Sequence, residues 1–257
     1  MDHRPGLDDS VDHFAIRTTV LRTQVGSGVH GVTLAGTDDR DEMGVCIEPI
    51  EQVIRVGKPF EQFTHRTQPE GVRSGPGDLD LVIYSLRKWL RLALAGNPTV
   101  LLPLFVPDSE VMVITDTGRW LREHRDVILS RRAGARFLGY LHDQRQRMDL
   151  PSRATHGYDT KAAYHMLRLG MQGCELLATG AITLPMSAAD REYLLTVRRG
   201  ERSRDWVRIE AVRWEAALRR AIEVSVLPAE PNAPFADAWL ADQYLTAWSA
   251  MPRQAGR

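Results

Sequence analysis

Gly26-Ser27-Gly28-Val29-His30-Gly31-Val32-Thr33-Leu34-Ala35-Gly36-Thr37-Asp38-Asp39-Arg40-Asp41-Glu42-Met43-Gly44-Val45 is the stretch on which the reading of the fold turns, with glycines at its start and carboxylates at its end. A glycine-rich turn lets backbone N–H groups approach an anion closely. Asp39 and Asp41, two residues apart on extended chain, point to one side and can share a cation. Phosphate and metal are both in view.

Gly26-x-Gly28-x-x-Gly31 formally matches a dinucleotide-binding fingerprint. That fingerprint needs a helix directly after the turn and an acidic residue about 20 positions further on. Here the turn runs into Val32-Thr33-Leu34-Ala35-Gly36-Thr37, β-branched and glycine-broken, and the carboxylates arrive far sooner. An NAD-type oxidoreductase is therefore a poor reading, and the lysine of a P-loop is absent. The better parse is Gly26-Ser27, an intervening segment, and the Asp39-x-Asp41 pair, completed by a carboxylate from a later strand. Such an oxygen-rich site suits Mg²⁺. On composition alone, the run Asp38-Asp39-Arg40-Asp41-Glu42 reads more readily as a solvated turn than as a metal site.

Working outward, residues 18–25 are rich in β-branched residues and read as a strand, as do residues 43–47. Residues 52–56 and 60–65 are candidate short strands, and 68–77 a loop. Residues 78–84 alternate and form a further strand, with Asp78 and Asp80 on one side of it. Ser85 stands at the N-cap of a helix over 86–95 that Gly96-Asn97-Pro98 stops. After a helical piece over 99–105, residues 111–114 are the last strand. From Asp116 the pattern is helical: 118–129, 131–146, 159–178, 187–198, 203–224 and 236–250. The expected fold class is α+β, a small mixed sheet with helices over residues 1–115 followed by an all-helical half over 116–257.

The 257 residues carry 43% hydrophobic and 26% charged side chains and a formal net charge of zero, ordinary for a globular protein and unlike a polybasic nucleic-acid or lipid binder. No apolar run approaches the roughly 18 residues of a membrane span. The first residues lack the pattern of a secretory signal, so a cytoplasmic protein is expected. Cys46 and Cys174 stand far apart and read as small core hydrophobes. Lysine occurs only at positions 58, 88 and 161 among many arginines. On the helix over 159–178, Lys161, His165 and Arg168 recur at i, i+4 and i+7 and share a face with Gln172 and Glu175. By itself that face reads as the wet side of an amphipathic helix. The arginines between 122 and 153 read as a solvated surface, and Trp206, Trp214, Trp239 and Trp248 as core.

Taken together, these residues resemble the nucleotidyltransferases of the DNA polymerase beta superfamily, whose signature is a Gly-Ser pair followed by Asp-x-Asp. More closely, the chain resembles the family of nucleotidyltransferases within that superfamily that is associated with RNA ligases. The resemblance rests on Asp39-x-Asp41-x-x-Gly44-Val45, Tyr84-Ser85-Leu86-Arg87-Lys88-Trp89, Gly96-Asn97-Pro98-Thr99, Gly157-Tyr158-Asp159-Thr160-Lys161 with His165 and Arg168, and Arg198-Arg199-Gly200-Glu201. It implies that Gly26 and Ser27 seat the nucleotide's phosphates. Asp39, Asp41 and Asp80 would hold two Mg²⁺ or Mn²⁺, with Asp78 in reserve for Asp80 and Asp38 for an off-by-one assignment. It makes Lys161, His165 and Arg168 nucleotide-binding candidates. The implied reaction moves a nucleoside monophosphate from an NTP, such as ATP, to an acceptor hydroxyl of an RNA end, a protein or a small molecule. The alternative is a non-catalytic nucleotide-binding module of the same fold.

Overall fold

The computed structural model describes residues 12–34, 40–69, 75, 77–150 and 157–250. Asp38 and Asp39, and most of the expected 68–77 loop, lie outside the described residues. Five strands form one sheet: β1 (Thr19–Val25), β2 (Arg40–Cys46), β3 (Gln62–Arg66), β4 (Leu79–Ser85) and β5 (Val111–Ile114), in the order β3-β4-β2-β1-β5. All neighbours are antiparallel except β2 and β4, which run parallel. A parallel pair needs a crossover, and the segment from 47 to 78 supplies it, leaving β3 on the sheet's edge.

Around the sheet the helices are α1 (Phe14–Arg17), α2 (Gly26–His30), α3 (Ile50–Val53), α4 (Leu86–Leu94), α5 (Asp116–Glu123) and α6 (Arg125–Ile128). The remainder are α7 (Arg132–Met148), α8 (Thr160–Thr179), α9 (Ala188–Arg198), α10 (Arg204–Glu223) and α11 (Ala233–Ala250). Every strand among the described residues precedes position 115; helices follow. The fold is mixed α+β, as the sequence predicts.

The sheet's two faces are unequal. Leu21, Val25, Met43 and Val45 face the main core, which continues through α4 to α8. The opposite face carries a small cluster of Ala15, Cys46, Leu79, Leu81 and Ile83, with Phe14 and Phe63 packed on it. The buried alternation of β4 produces this division.

Helix α4 shows how local signals fix an element. Ser85 Oγ accepts from Lys88 N at 3.1 Å, capping its start. Leu86, Trp89, Leu90 and Ala93 form its buried stripe, each large apolar side chain contributing about 1.5–3 kcal/mol. Gly96 ends it with φ +76°, and a β-carbon there would strike the backbone of Ala133 at the start of α7.

Three expectations need correction. The glycine turn is itself helical: residues 26–30 form α2, which Gly31 ends in the left-handed conformation. Residues 52–56 are not a strand; Pro49 precedes the short helix α3 instead. The β-branched residues there find no pairing partner, since β3 already occupies that edge of the sheet. The helix expected over 118–129 is two, α5 and α6, broken at His124 with ψ 46°.

Far from the glycine turn, α11 reaches back to the end of β2. Tyr244 donates its hydroxyl to Glu48 Oε2 at 2.6 Å, and Trp248 Nε1 donates to the Glu48 carbonyl at 2.8 Å. Glu48 is fully buried, and its Oε1 has no partner among the described residues. Burial pushes its carboxyl above the usual carboxylate range, against the lowering effect of the Tyr244 hydrogen bond.

Candidate active site

Strand register assembles the carboxylates. Val25 at the end of β1 sits opposite Asp41 near the start of β2, and Asp41 sits opposite Asp80 near the start of β4. Directly opposed residues share a face, so Asp41 and Asp80 stand side by side on the face that carries Val25 and Met43. Gly26 follows Val25 immediately, with φ +74°, and a β-carbon on it would overlap the Asp41 carboxylate. Only glycine satisfies both the backbone angle and the close approach. Gly26, Asp41 and Asp80 therefore converge at one end of three adjacent strands. Ser27 is half-exposed beside them.

Asp80 is tethered from the edge strand. Arg66 Nε and Nη2 donate to its two carboxylate oxygens at 2.6 and 3.1 Å, and Gln68 Nε2 donates to Oδ1 at 3.1 Å. The Arg66 guanidinium is raised by Asp80 first, with Asp41 and Asp78 adding to the effect. Its field thus spans the whole acidic group. Asp78 has a different task, its Oδ1 accepting from Thr67 Oγ1 at 3.0 Å and its Oδ2 from Gly75 N at 2.8 Å.

Asp39 lies outside the described residues, and among those that are described no three His, Cys, Asp or Glu side chains form a metal-binding group. The two carboxylates present nonetheless fit divalent cations. They are hard oxygen donors on neighbouring strands, with a side-chain-free cradle at Gly26 against one of them.

The helical half brings a second group against α2. Helix α8 starts at Asp159, whose Oδ1 accepts from Lys161 N and Ala162 N at 2.9 and 3.0 Å. The polar face of α8 is not the wet side of an amphipathic helix. Lys161 is exposed, but His165 and Arg168 are half-buried and Gln172 is 1% exposed. Arg168 Nη1 donates to Gln172 Oε1 at 2.7 Å, its Nη2 lies 3.4 Å from His165 Nδ1, and Gln172 Nε2 lies 3.2 Å from His30 Nδ1. Glu175 turns away, accepting from Thr183 N at 3.0 Å. The face thus meets the last residue of the helix that carries Gly26 and Ser27.

Electrostatics there are one-sided. His165 is held far below the ordinary histidine value by burial first and then by Arg168, Lys161, Arg198 and Arg147. His30, 1% exposed, is depressed by burial, Arg168 and His165. Both rings are neutral. None of Lys161, Arg168, Arg198 and Arg147 makes an ion pair among the described residues; Arg198 instead stacks 4.9 Å over the Tyr164 ring and donates to Val32 O at 3.4 Å. Among the described residues these cations have no carboxylate partner and surround neutral imidazoles, an arrangement that gives this face a positive field. Sequence reasoning singled out Lys161, His165 and Arg168 as candidates and assigned no site role to Arg66, Arg147, Arg198 or His30. Arg198 and His30 stood inside stretches already singled out; Arg66 and Arg147 carried no local signal, since only tertiary contact brings them in.

A mixed sheet with strand-end carboxylates beside a Gly-Ser turn belongs to the nucleotidyltransferase class. The chain is a member of the RNA repair pathway DNA polymerase beta family, which it matches over residues 7–242, and it is accordingly a nucleotidyl-transferring enzyme. Among solved structures it is similar to the spectinomycin adenyltransferase AAD(9) from Enterococcus faecialis, crystallised with ATP and spectinomycin, at TM-score 0.40 and 14% identity over 80% of this chain and 94% of that one. It is also similar to a nucleotidyltransferase-like protein from Exiguobacterium sibiricum, at TM-score 0.30 and 12% identity over 82% of this chain and 71% of that one. No curated protein matches it in sequence. No helix among the described residues is long and apolar enough to cross a membrane.

Proposed function

We propose that the chain transfers a nucleoside monophosphate from an NTP, with ATP the first to test, to the hydroxyl of an RNA end. The observation that carries this reading is the register that sets Gly26, Asp41 and Asp80 side by side across β1, β2 and β4. Asp41 and Asp80, with Asp39, are the metal ligands. Two bound Mg²⁺ or Mn²⁺ would lower the pKa of the attacking hydroxyl and neutralise charge on the leaving pyrophosphate. Gly26 and Ser27 hold the nucleotide's phosphates through backbone N–H groups and the Ser27 hydroxyl. Lys161, His165 and Arg168, joined by Arg198 and Arg147, receive the triphosphate from the helical side, so residues 1–115 and 116–257 work as two parts with the nucleotide between them. The acceptor oxygen bonds to the α-phosphorus, the bond to pyrophosphate breaks, and the hydroxyl proton passes to solvent.

The RNA-repair character of the family supports an RNA acceptor. A protein or a small molecule is the competing acceptor class. The unpaired thiols of Cys46 and Cys174 suit the reducing cytoplasm. Incubation with each α-labelled NTP, Mg²⁺ or Mn²⁺, and RNA or protein acceptors tests the reading. Label on RNA, lost in Asp41→Asn and Asp80→Asn, supports it. Nucleotide binding without transfer to any acceptor would mean a non-catalytic module.

A further inference from the structure

The hydrogen-bond chain between α8 and α2 has a fixed direction. A guanidinium has donors and no acceptor, so the Gln172 atom facing Arg168 at 2.7 Å must be the amide oxygen. The Gln172 NH₂ group therefore faces His30, 3.2 Å from Nδ1. An NH₂ group only donates, so Nδ1 of His30 must accept, which places the ring's single proton on Nε2. The polarity of three side chains is thus set from one end.

His30 also occupies a fixed place. Its side chain is 1% exposed, its carbonyl lies 3.4 Å from Met186 N, and Gly31 beside it packs against Arg191 and Pro185. The ring cannot follow Gln172 if the amide turns. Apart from Gln172, Arg168 is met by the neighbouring Tyr164 hydroxyl on the same helix and by His165, whose Nδ1 lies a long 3.4 Å from Nη2, so the 2.7 Å bond to Gln172 is the shortest side-chain hydrogen bond that orients it.

We propose that His30 is a positioning residue, which, by accepting from Gln172, locks the amide so that Arg168 is held in one orientation for the nucleotide's phosphates. The last residue of the helix bearing Gly26 and Ser27 thereby sets the arginine that meets the same phosphates from α8. This inference rests on the reading of Arg168 as a phosphate ligand.

The test is binding of inorganic tripolyphosphate with Mg²⁺, measured by calorimetry on the full chain. His30→Leu and Gln172→Leu should each weaken binding about five- to tenfold, the scale of one misplaced charged hydrogen bond. The double variant should be no weaker than either single one, because both break one chain. His30→Asn, whose Oδ1 stands where Nδ1 stood, should restore most of the affinity. Wild-type affinity in His30→Leu, or no rescue by His30→Asn, overturns the proposal. Should His30→Leu fail to fold, nitrogen NMR of the wild-type histidines decides: an unprotonated Nδ1 on His30 supports the proposal and a protonated one overturns it. Arg168→Gln separates the two readings. If it binds as the wild type does, the phosphate role of Arg168 fails; if it binds weakly while His30→Leu does not, only the role of His30 fails.

Discussion

Asp41 on β2 and Asp80 on β4 are register partners across the parallel pair of the sheet, two carboxylates held side by side by backbone hydrogen bonds between their own strands. Neither needs a flexible loop to bring it to the other. Asp41→Asn or Asp80→Asn should therefore leave the fold intact and remove several kcal/mol of transition-state stabilisation, a rate loss of roughly a thousandfold. Label transfer from an α-labelled NTP measures it, with circular dichroism as the control for folding. Chelation of divalent ions should stop the wild type, and Mg²⁺ or Mn²⁺ should restore it.

Gly26 and Gly96 both have φ near +75°, at +74° and +76°, and both leave no room for a β-carbon. Alanine at either should destabilise by about 1–2 kcal/mol from the left-handed backbone alone, with steric overlap adding to that. Their consequences should differ. Gly26→Ala intrudes on Asp41 and should abolish transfer, whereas Gly96→Ala strikes Ala133 in the helical core and should leave the activity of the molecules that remain folded. Urea midpoints and transfer rates, read together, distinguish the two.

His30 and His165 are neutral in the fold and titrate far below the ordinary value of 6.5. As pH falls below about 6.5 the unfolded chain takes up protons that the folded chain refuses. Stability is then constant above that pH and falls below it, until the depressed folded values are passed. Each ring contributes at most about 1.4 kcal/mol per pH unit to the slope. Urea unfolding across this range should show the acid weakening, and His30→Asn should flatten it.

Glu48 behaves in the opposite sense, because burial raises its carboxyl in the fold. The folded chain keeps that proton longer than the unfolded one, so stability is lost as pH rises from the ordinary carboxylate value through the raised one. Glu48→Gln should remove this component from the pH profile. Tyr244→Phe should cost about 1–3 kcal/mol, because it strips a buried carboxyl of its donor at 2.6 Å. The same substitution in a Glu48→Gln background should cost less.

Much of this was legible because it is local. The alternation at Leu79-Asp80-Leu81, the Ser85 cap with its apolar stripe and the glycine stop at 96 each state their element within a few residues. Asp41 and Asp80 were legible as chemistry, though their adjacency belongs to the register of β2 and β4, which no single segment encodes. The error over residues 52–56 has the same origin. Val53, Ile54 and Val56 have strand propensity, but strand formation needs a partner, and the neighbouring position on the sheet is taken by β3. On α8 the periodicity correctly grouped Lys161, His165, Arg168 and Gln172. Whether that face meets water or protein depends on α2, more than 100 positions earlier in the chain. Arg66 gave no sign at all, since its meaning lies in one ion pair across the edge of the sheet.

The parallel pairing of β2 with β4 also has a kinetic meaning. A parallel pair closes only after the intervening crossover is in place, so the acidic site cannot form from a short local hairpin. Gly26 and Asp41 belong to the antiparallel pair of β1 and β2, whereas Asp80 joins them only when β4 docks across the parallel pairing. A nascent or half-collapsed chain, even one with its helices formed, would lack the paired carboxylates. Turnover in a refolding experiment should accordingly lag behind the recovery of helical signal, and its return would time the completion of the sheet.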